Sequence, residues 1–263
     1  MGSTSSEIDS VAAIIDRTPL QVLAANLYYD ALKPVLMGCT AVAIDTPTGP
    51  MHARNLDWWT EERILATSTQ IVEFEDGPLG PVKAISWPGF IGVLSGVAPG
   101  RFAVTLNAVL SDDPPGLAQP ITFLLRNVLQ TARTFHEAIQ VLRDTPVASD
   151  SLLLVTGIRG GEMAVIERSP QRSAVRSAVD GILVVTNDYR ALSASAAQHT
   201  TELGRTACSR FDSASELARR LRPRTVSECL PILQNHSVKM SITVQHMVLQ
   251  ASTGELVVKL PNP

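Results

Sequence analysis

Hydrophobic positions along this chain follow two periods, and the changes between them fall at proline and glycine. Residues 8–37 carry the helical period. Thr18 suits an N-cap, Pro19 the first helical position, Leu20, Leu23, Leu27 and Ala31 share one face, and Pro34 closes the run. From Cys39 the period shortens to two. CTAVAID and MHARNLDWW flank the turn residues Thr46-Pro47-Thr48-Gly49, which predicts a hairpin, and IVEFE, VKAIS and RFAVTLN predict further strands broken at Gly77-Pro78 and Pro99-Gly100.

Residues 116–143 return to the helical period as two helices divided near Thr134. A strand meander follows (SLLLVTG, EMAVIER, SAVRSAV and GILVVTN), with turns at Gly160-Gly161 and Asp180-Gly181. Residues 190–235 read as helical with breaks at Gly204 and Pro223, and ITVQHMVLQ and ELVVKL close the chain as a hairpin around Ser252-Thr253-Gly254. Strands and helices segregated into blocks indicate an α+β class rather than alternating βαβ units. Two antiparallel sheets between helical layers would use all of these elements.

Composition narrows the function classes. At 45% hydrophobic and 18% charged residues the chain reads as a soluble globular protein, and no stretch approaches the apolar length of a membrane span. A net charge of -3 with scattered basic residues argues against a nucleic-acid partner. Three cysteines are too few for a disulfide framework, and MGSTSSEIDS lacks the pattern of a secretory leader, so a reducing, cytoplasmic setting is expected. The five histidines lack metal-ligand spacing, and no metal or cofactor is expected.

The candidate chemistry centres on Cys39. It opens a strand directly after Gly38, a residue free to adopt backbone conformations that others resist. A turn centred near Pro47-Thr48 sets residues 54–57 opposite residues 38–41, which brings Arg54 and Asp57 close to Cys39. A guanidinium beside the sulfur favours thiolate, and a carboxylate near the residue-39 nitrogen suits a freed α-amino group. Strict alternation nevertheless places Arg54 and Asp57 on opposite faces, so both reach one site only with a bulge or from a strand end. A structural ion pair flanking a hairpin accounts for the same two residues. Asn107 and Asn187 each end an apolar run, where asparagine serves a turn or donates to an oxyanion. Trp58, Trp59, Trp87 and Phe90 suit either an apolar acyl pocket or a core.

The stretch LAANLYYDALKPVLMGCTAVAIDTPTGPMHARNLDWW resembles the segment around the processing site of the acid ceramidase and N-acylethanolamine acid amidase family, most specifically in Gly38-Cys39-Thr40 joined to Arg54-Asn55-Leu56-Asp57. The similarity continues through WPGFIGVLSGVAPGRFAVTLN, VVTNDYR, GRTACSR and the closing hairpin. The bile-salt hydrolases and penicillin V acylases are similar more distantly.

The resemblance implies a four-layer αββα N-terminal-nucleophile sandwich, with a helical propeptide over 1–38 and a catalytic domain over 39–263. It implies self-cleavage between Gly38 and Cys39, the residue 1–38 piece being retained or lost. Cys39 becomes the nucleophile, Arg54 and Asp57 its charged neighbours, Asn187 and more softly Asn107 the oxyanion residues, and Arg205 a supporting arginine. The substrate implied is a small N-acyl amide. An acyltransferase, in which an amine takes the acyl group, and a non-catalytic ligand-binding relative are the alternatives.

Overall fold

The structure, a computed structural model, describes residues 2–30, 37–193 and 202–261. The N-terminal segment forms two helices, α1 (Gly2–Ile15) and α2 (Pro19–Asn26), with Asp16 in a left-handed conformation between them. Thr18 caps α2 in a box with Gln21, and Pro19 sits in its first turn, as expected. The expected apolar stripe is not the buried one. Leu20 is exposed, and Val22 and Asn26 face inward instead. Ala31 and Pro34 lie outside the described residues.

Strands β1 (Met37–Ile44) and β2 (Met51–Trp58) form the first hairpin, followed by a helical turn at Ile64–Thr67 and strands β3 (Gln70–Phe74) and β4 (Val82–Ser86). Next come β5 (Ser95–Ala98), β6 (Phe102–Asn107), α3 (Ile121–Thr131), α4 (Phe135–Asp144), and the meander β7 (Ser151–Thr156), β8 (Met163–Arg168), β9 (Ser173–Ser177) and β10 (Ile182–Val185). The chain closes with α5 (Glu202–Leu221), α6 (Val226–Gln234), β11 (Thr243–Gln250) and β12 (Glu255–Lys259). Thr134 caps α4 as its sequence predicts. Gly204, expected as a break, lies inside α5, whereas Pro223 does separate α5 from α6. Strand β5 is absent from the sequence reading because it is short and carries Gly96, where a Cβ would stand 2.7 Å from Leu129.

The described strands form two antiparallel sheets, one ordered β10-β1-β2-β11-β12 and one ordered β3-β4-β5-β6-β7-β8-β9. β1 touches β6 and β7, and β11 touches β5 and β6, so the sheets lie face to face. Helices α5 and α6 cover the outer face of the first sheet, and α3 and α4 that of the second. β1 is therefore buried on both faces. Its even positions Val42 and Ile44 pack toward α5 and α6, and its odd positions Ala41 and Ala43 toward the second sheet. The boundary expected at residue 38 falls within this strand, because Met37 and Gly38 pair with Trp58 and Asp57.

The space between the sheets also encloses polar groups. His52 is fully buried, its Nε2 2.7 Å from Thr105 Oγ1 and its Nδ1 3.2 Å from Thr156 Oγ1. Burial first, and then nearby Arg54, push its imidazole down to about 3. An unfolded chain takes up this proton near pH 6.5, so the stability held by neutral His52 is whole above that pH and is lost as pH falls toward 3. In that window the loss is about 1.4 kcal/mol per pH unit. Denaturant titrations between pH 7 and 4 should show a shallower loss for His52→Gln than for wild type; equal slopes would contradict this account.

Candidate active site

The first hairpin pairs as its turn chemistry predicts: Gly38 with Asp57, Cys39 with Leu56, Thr40 with Asn55 and Ala41 with Arg54. Gly38 continues the regular pairing of β1 and is not among the residues with positive φ, so the special backbone conformation expected there is not seen. The opposite-face problem resolves without a bulge in β2. The Cys39 side chain and Arg54 share the face toward the second sheet, where Arg54 Nη2 lies 3.1 Å from Cys39 Sγ and also donates to the Leu106 carbonyl. Arg54 Nη1 donates to Ser95 Oγ and, at 3.4 Å, to the Leu94 carbonyl, which anchors the guanidinium in β5 and β6.

Asp57 occupies the opposite face, beside the Cys39 backbone rather than its sulfur. There the Cys39 N–H donates to Asn187 Oδ1 at 2.9 Å. Arg210, from α5, donates to the Cys39 carbonyl at 2.7 Å, to Thr40 Oγ1 at 2.8 Å and to Asn187 Oδ1 at 2.9 Å. Asn187 lies just beyond β10, which pairs with β1, and its Nδ2 donates to the Ala108 carbonyl at 2.8 Å. The turn after it is fixed by buried Glu167, which accepts the backbone N–H groups of Arg190, Ala191 and Leu192. Asn107 binds the Val185 and Thr186 carbonyls through Nδ2, which ties β6 to β10, and its buried Oδ1 has no hydrogen-bond partner among the described residues.

Electrostatics at the sulfur is a contest. Burial raises the Cys39 thiol above its ordinary value, Arg54 opposes this, and Asp57 adds to it. The Ala108 backbone also favours thiolate. Burial wins. Arg54 favours thiolate, as expected, but desolvation outweighs it and the thiol sits above its ordinary value. Asp57 is likewise raised by burial, against the pull of Arg210, a hydrogen bond from Thr243 and Arg54.

With this geometry the chain's relatives become informative. Residues 46–252 match the family model described as acyl-coenzyme A:6-aminopenicillanic acid acyl-transferase. The chain belongs to this family. Among curated relatives, bovine acid ceramidase is 25% identical over 196 residues, covering 65% of this chain and 49% of that protein. The N-acylethanolamine-hydrolyzing acid amidase of Caenorhabditis elegans is 30% identical over 164 residues, covering 57% and 46%. The chain spans about half the length of these curated relatives. Among solved structures, a C. elegans ortholog of that amidase superposes with a TM-score of 0.69 at 23% identity, over 85% of this chain and 100% of that one. A mutant conjugated bile acid hydrolase from Clostridium perfringens gives 0.57 at 13% identity, over 84% and 89%. The shared architecture is the N-terminal-nucleophile hydrolase sandwich, two antiparallel sheets between helices.

Two arginines of α5 bear on the supporting role expected of Arg205. Arg205 is exposed on α5, and among the described residues the α5 arginine that donates to the Cys39 carbonyl is Arg210. The signal was present in the sequence. Ala207, Arg210, Ala214, Leu217 and Ala218 follow helical spacing and are all buried, so Arg210 is a charge on a core-facing stripe.

Three of the four expected aromatics share one cleft of about 530 Å³. Trp58, Trp87 and Phe90 form its wall through edge-on ring contacts 5.8 and 5.9 Å apart, and Tyr28 stacks on Trp58 at 6.0 Å. Trp59 is 55% exposed and outside the cleft, because alternation along the chain turns it away from the face Trp58 occupies. The opposite wall is α1 and α2, through Val11, Ile15, Val22 and Ala25. Tyr29 also lines the cleft and belongs to the same large apolar core as Cys39, whose charge it feels.

Thiol labelling checks this picture. Cys208 is exposed, whereas Cys39 is 1% exposed and held neutral. A small alkylating reagent at pH 8 should therefore modify Cys208 well before Cys39 in the continuous chain. Faster labelling of Cys39, read by peptide mapping, would contradict the burial-dominated thiol.

Proposed function

We propose that this protein is a cysteine N-terminal-nucleophile amidase that frees Cys39 by cleaving its own Gly38-Cys39 bond and then hydrolyses small N-acyl amides. The observation that carries this reading is the convergence on Cys39 of Arg54 at the sulfur and of Asn187, Asp57 and Arg210 around its backbone. Family membership and the amide-cleaving names of the relatives support it.

In self-cleavage the Cys39 sulfur attacks the Gly38 carbonyl carbon, the bond to the Cys39 nitrogen breaks, and the thiol proton passes to that nitrogen. Water then cleaves the Gly38 thioester, which yields a carboxylic acid at Gly38 and a free thiol and α-amine at Cys39. In turnover the α-amine accepts the thiol proton as sulfur attacks the substrate carbonyl, and then delivers it to the leaving amine. The Ala108 backbone N–H and the Asn187 side-chain amide, once it gives up the Ala108 carbonyl, are the donors for the oxyanion. Water releases the acid and restores the thiol.

The acyl arm takes the aromatic cleft, where Tyr29 and Met37 stand in its path beside Cys39 until the tail of the residue 1–38 fragment moves. The fragment stays bound through anchors remote from the cut. The Glu7 carboxylate receives both Arg126 nitrogens, and Asn26 bridges the Gly89 carbonyl and the Ile91 N–H at 3.0 and 2.8 Å. The acyl-transferase description of the family supports a second fate, in which an amine rather than water takes the thioester.

Incubation with an N-acyl amide should leave a trapped acyl group on the peptide that begins at Cys39, and Cys39→Ala should abolish turnover. Turnover by that variant would overturn the proposal. Arg210→Met should lower kcat/KM by about a hundredfold, while Arg205→Met stays within about twofold of wild type. The reverse order would return the supporting role to Arg205.

Independent loss of the two anchors tests retention. After cleavage the fragment should coelute with the body on size exclusion, and Glu7→Gln combined with Asn26→Ala should release it. Coelution of the doubly substituted fragment would contradict these anchors.

A further inference from the structure

The proton bookkeeping around Asp57 identifies a residue that the reading above does not use. Asp57 is fully buried, Thr243 Oγ1 lies 2.5 Å from its Oδ1, and its Oδ2 has no hydrogen-bond partner among the described residues. The Thr243 hydroxyl carries one proton. It already accepts the Met240 N–H at 2.9 Å, so its remaining contact, with Asp57 Oδ1, is one in which Thr243 donates. Its direction is therefore set by the backbone. The placement is deliberate in the sheet as well: Thr243 stands directly across from Asp57, and the register of β11 slips between Thr243 and Gln245, which separates this pairing from the regular ladder that follows. The Trp58 N–H to the Ile242 carbonyl at 2.9 Å and the Thr243 N–H to the Met240 carbonyl at 3.1 Å fix the same turn.

One carboxylate oxygen is thus occupied and the other is left without a partner among the described residues, on a residue that pairs with Gly38, the neighbour of Cys39. In the continuous chain that nitrogen has one proton, given to Asn187. A freed α-ammonium group has three, and the two new ones need acceptors in a buried place. We propose that Thr243 is a positioning residue for the nucleophile: by donating to Oδ1 it turns Oδ2 of Asp57 toward the α-amine that cleavage releases at Cys39. The inference rests on the proposed self-cleavage. The charged and titratable groups facing Asp57 are Arg210 from α5, Arg54 from β2 and Cys39 from β1, and none of them fixes which oxygen is free.

The test compares Thr243→Val, which keeps the shape and removes the hydroxyl, with Thr243→Ser, which restores it, in the full chain. Removing the donated proton makes the Asp57 carboxylate harder to form. The acid limb of kcat/KM for an N-acyl amide should therefore move up by about one pH unit, with kcat reduced about tenfold and KM within about twofold. Thr243→Ser should recover the wild-type limb. A merely structural role would lower the active fraction and leave the limb in place. If the valine variant does not fold, Thr243→Ala is read in the same way. A processed, active hydroxyl-free variant with the wild-type limb overturns the role of Thr243 and leaves the amidase reading standing. Wild-type protein that never cleaves at Gly38-Cys39 overturns the self-cleavage beneath both.

Discussion

The hydrogen bond from the Cys39 N–H to the Asn187 side chain joins the two parts on which the site depends, strand β1 and the turn beyond β10. Because β1 is buried on both faces, Cys39 can be approached from two sides at once. Its sulfur projects toward the second sheet and meets Arg54, which β5 and β6 hold by hydroxyl and carbonyl groups. Its backbone amide and carbonyl face the helix layer and meet Asn187 and Arg210. The sandwich thus separates the management of sulfur from the management of nitrogen. The proposed dual use of Cys39, as nucleophilic side chain and as new chain terminus, draws on that separation.

Burial determines the character of the site. A solvent-exposed cysteine beside an arginine would lean toward thiolate, but here desolvation outweighs the guanidinium and the thiol stays neutral. The same low-dielectric setting raises Asp57, against which Arg210, Thr243 and Arg54 favour its charged form. Helices α1 and α2 complete the enclosure by forming one wall of the aromatic cleft. The bidentate Glu7–Arg126 contact and the Asn26 bridges hold that wall at points far along the chain from Cys39.

Much of this was legible from residues alone, for identifiable reasons. The turn residues Thr46 to Gly49 set the hairpin register, and that register placed Arg54 and Asp57 beside Cys39. Two-residue alternation gave their opposite faces, and what it could not give was that both faces belong to one site. Motif similarity points to Arg205, whereas helical phase points to Arg210, which lies on the buried stripe through Ala207 and Ala214 and donates to the Cys39 carbonyl. Trp59 follows Trp58 in sequence, yet adjacent residues on extended chain diverge, and only Trp58 faces the cleft. Thr243 could not be found from sequence, since its role depends on a register slip in β11 and on a backbone donor three residues earlier.

The central claim is that one backbone bond in β1 is spent to create the catalytic amine. The mass of the denatured, active protein tests it most directly. Two species that divide between Gly38 and Cys39, with the larger carrying a free cysteine at its N-terminus, are the predicted result. A single full-length mass in a preparation that turns over its amide substrate would contradict it.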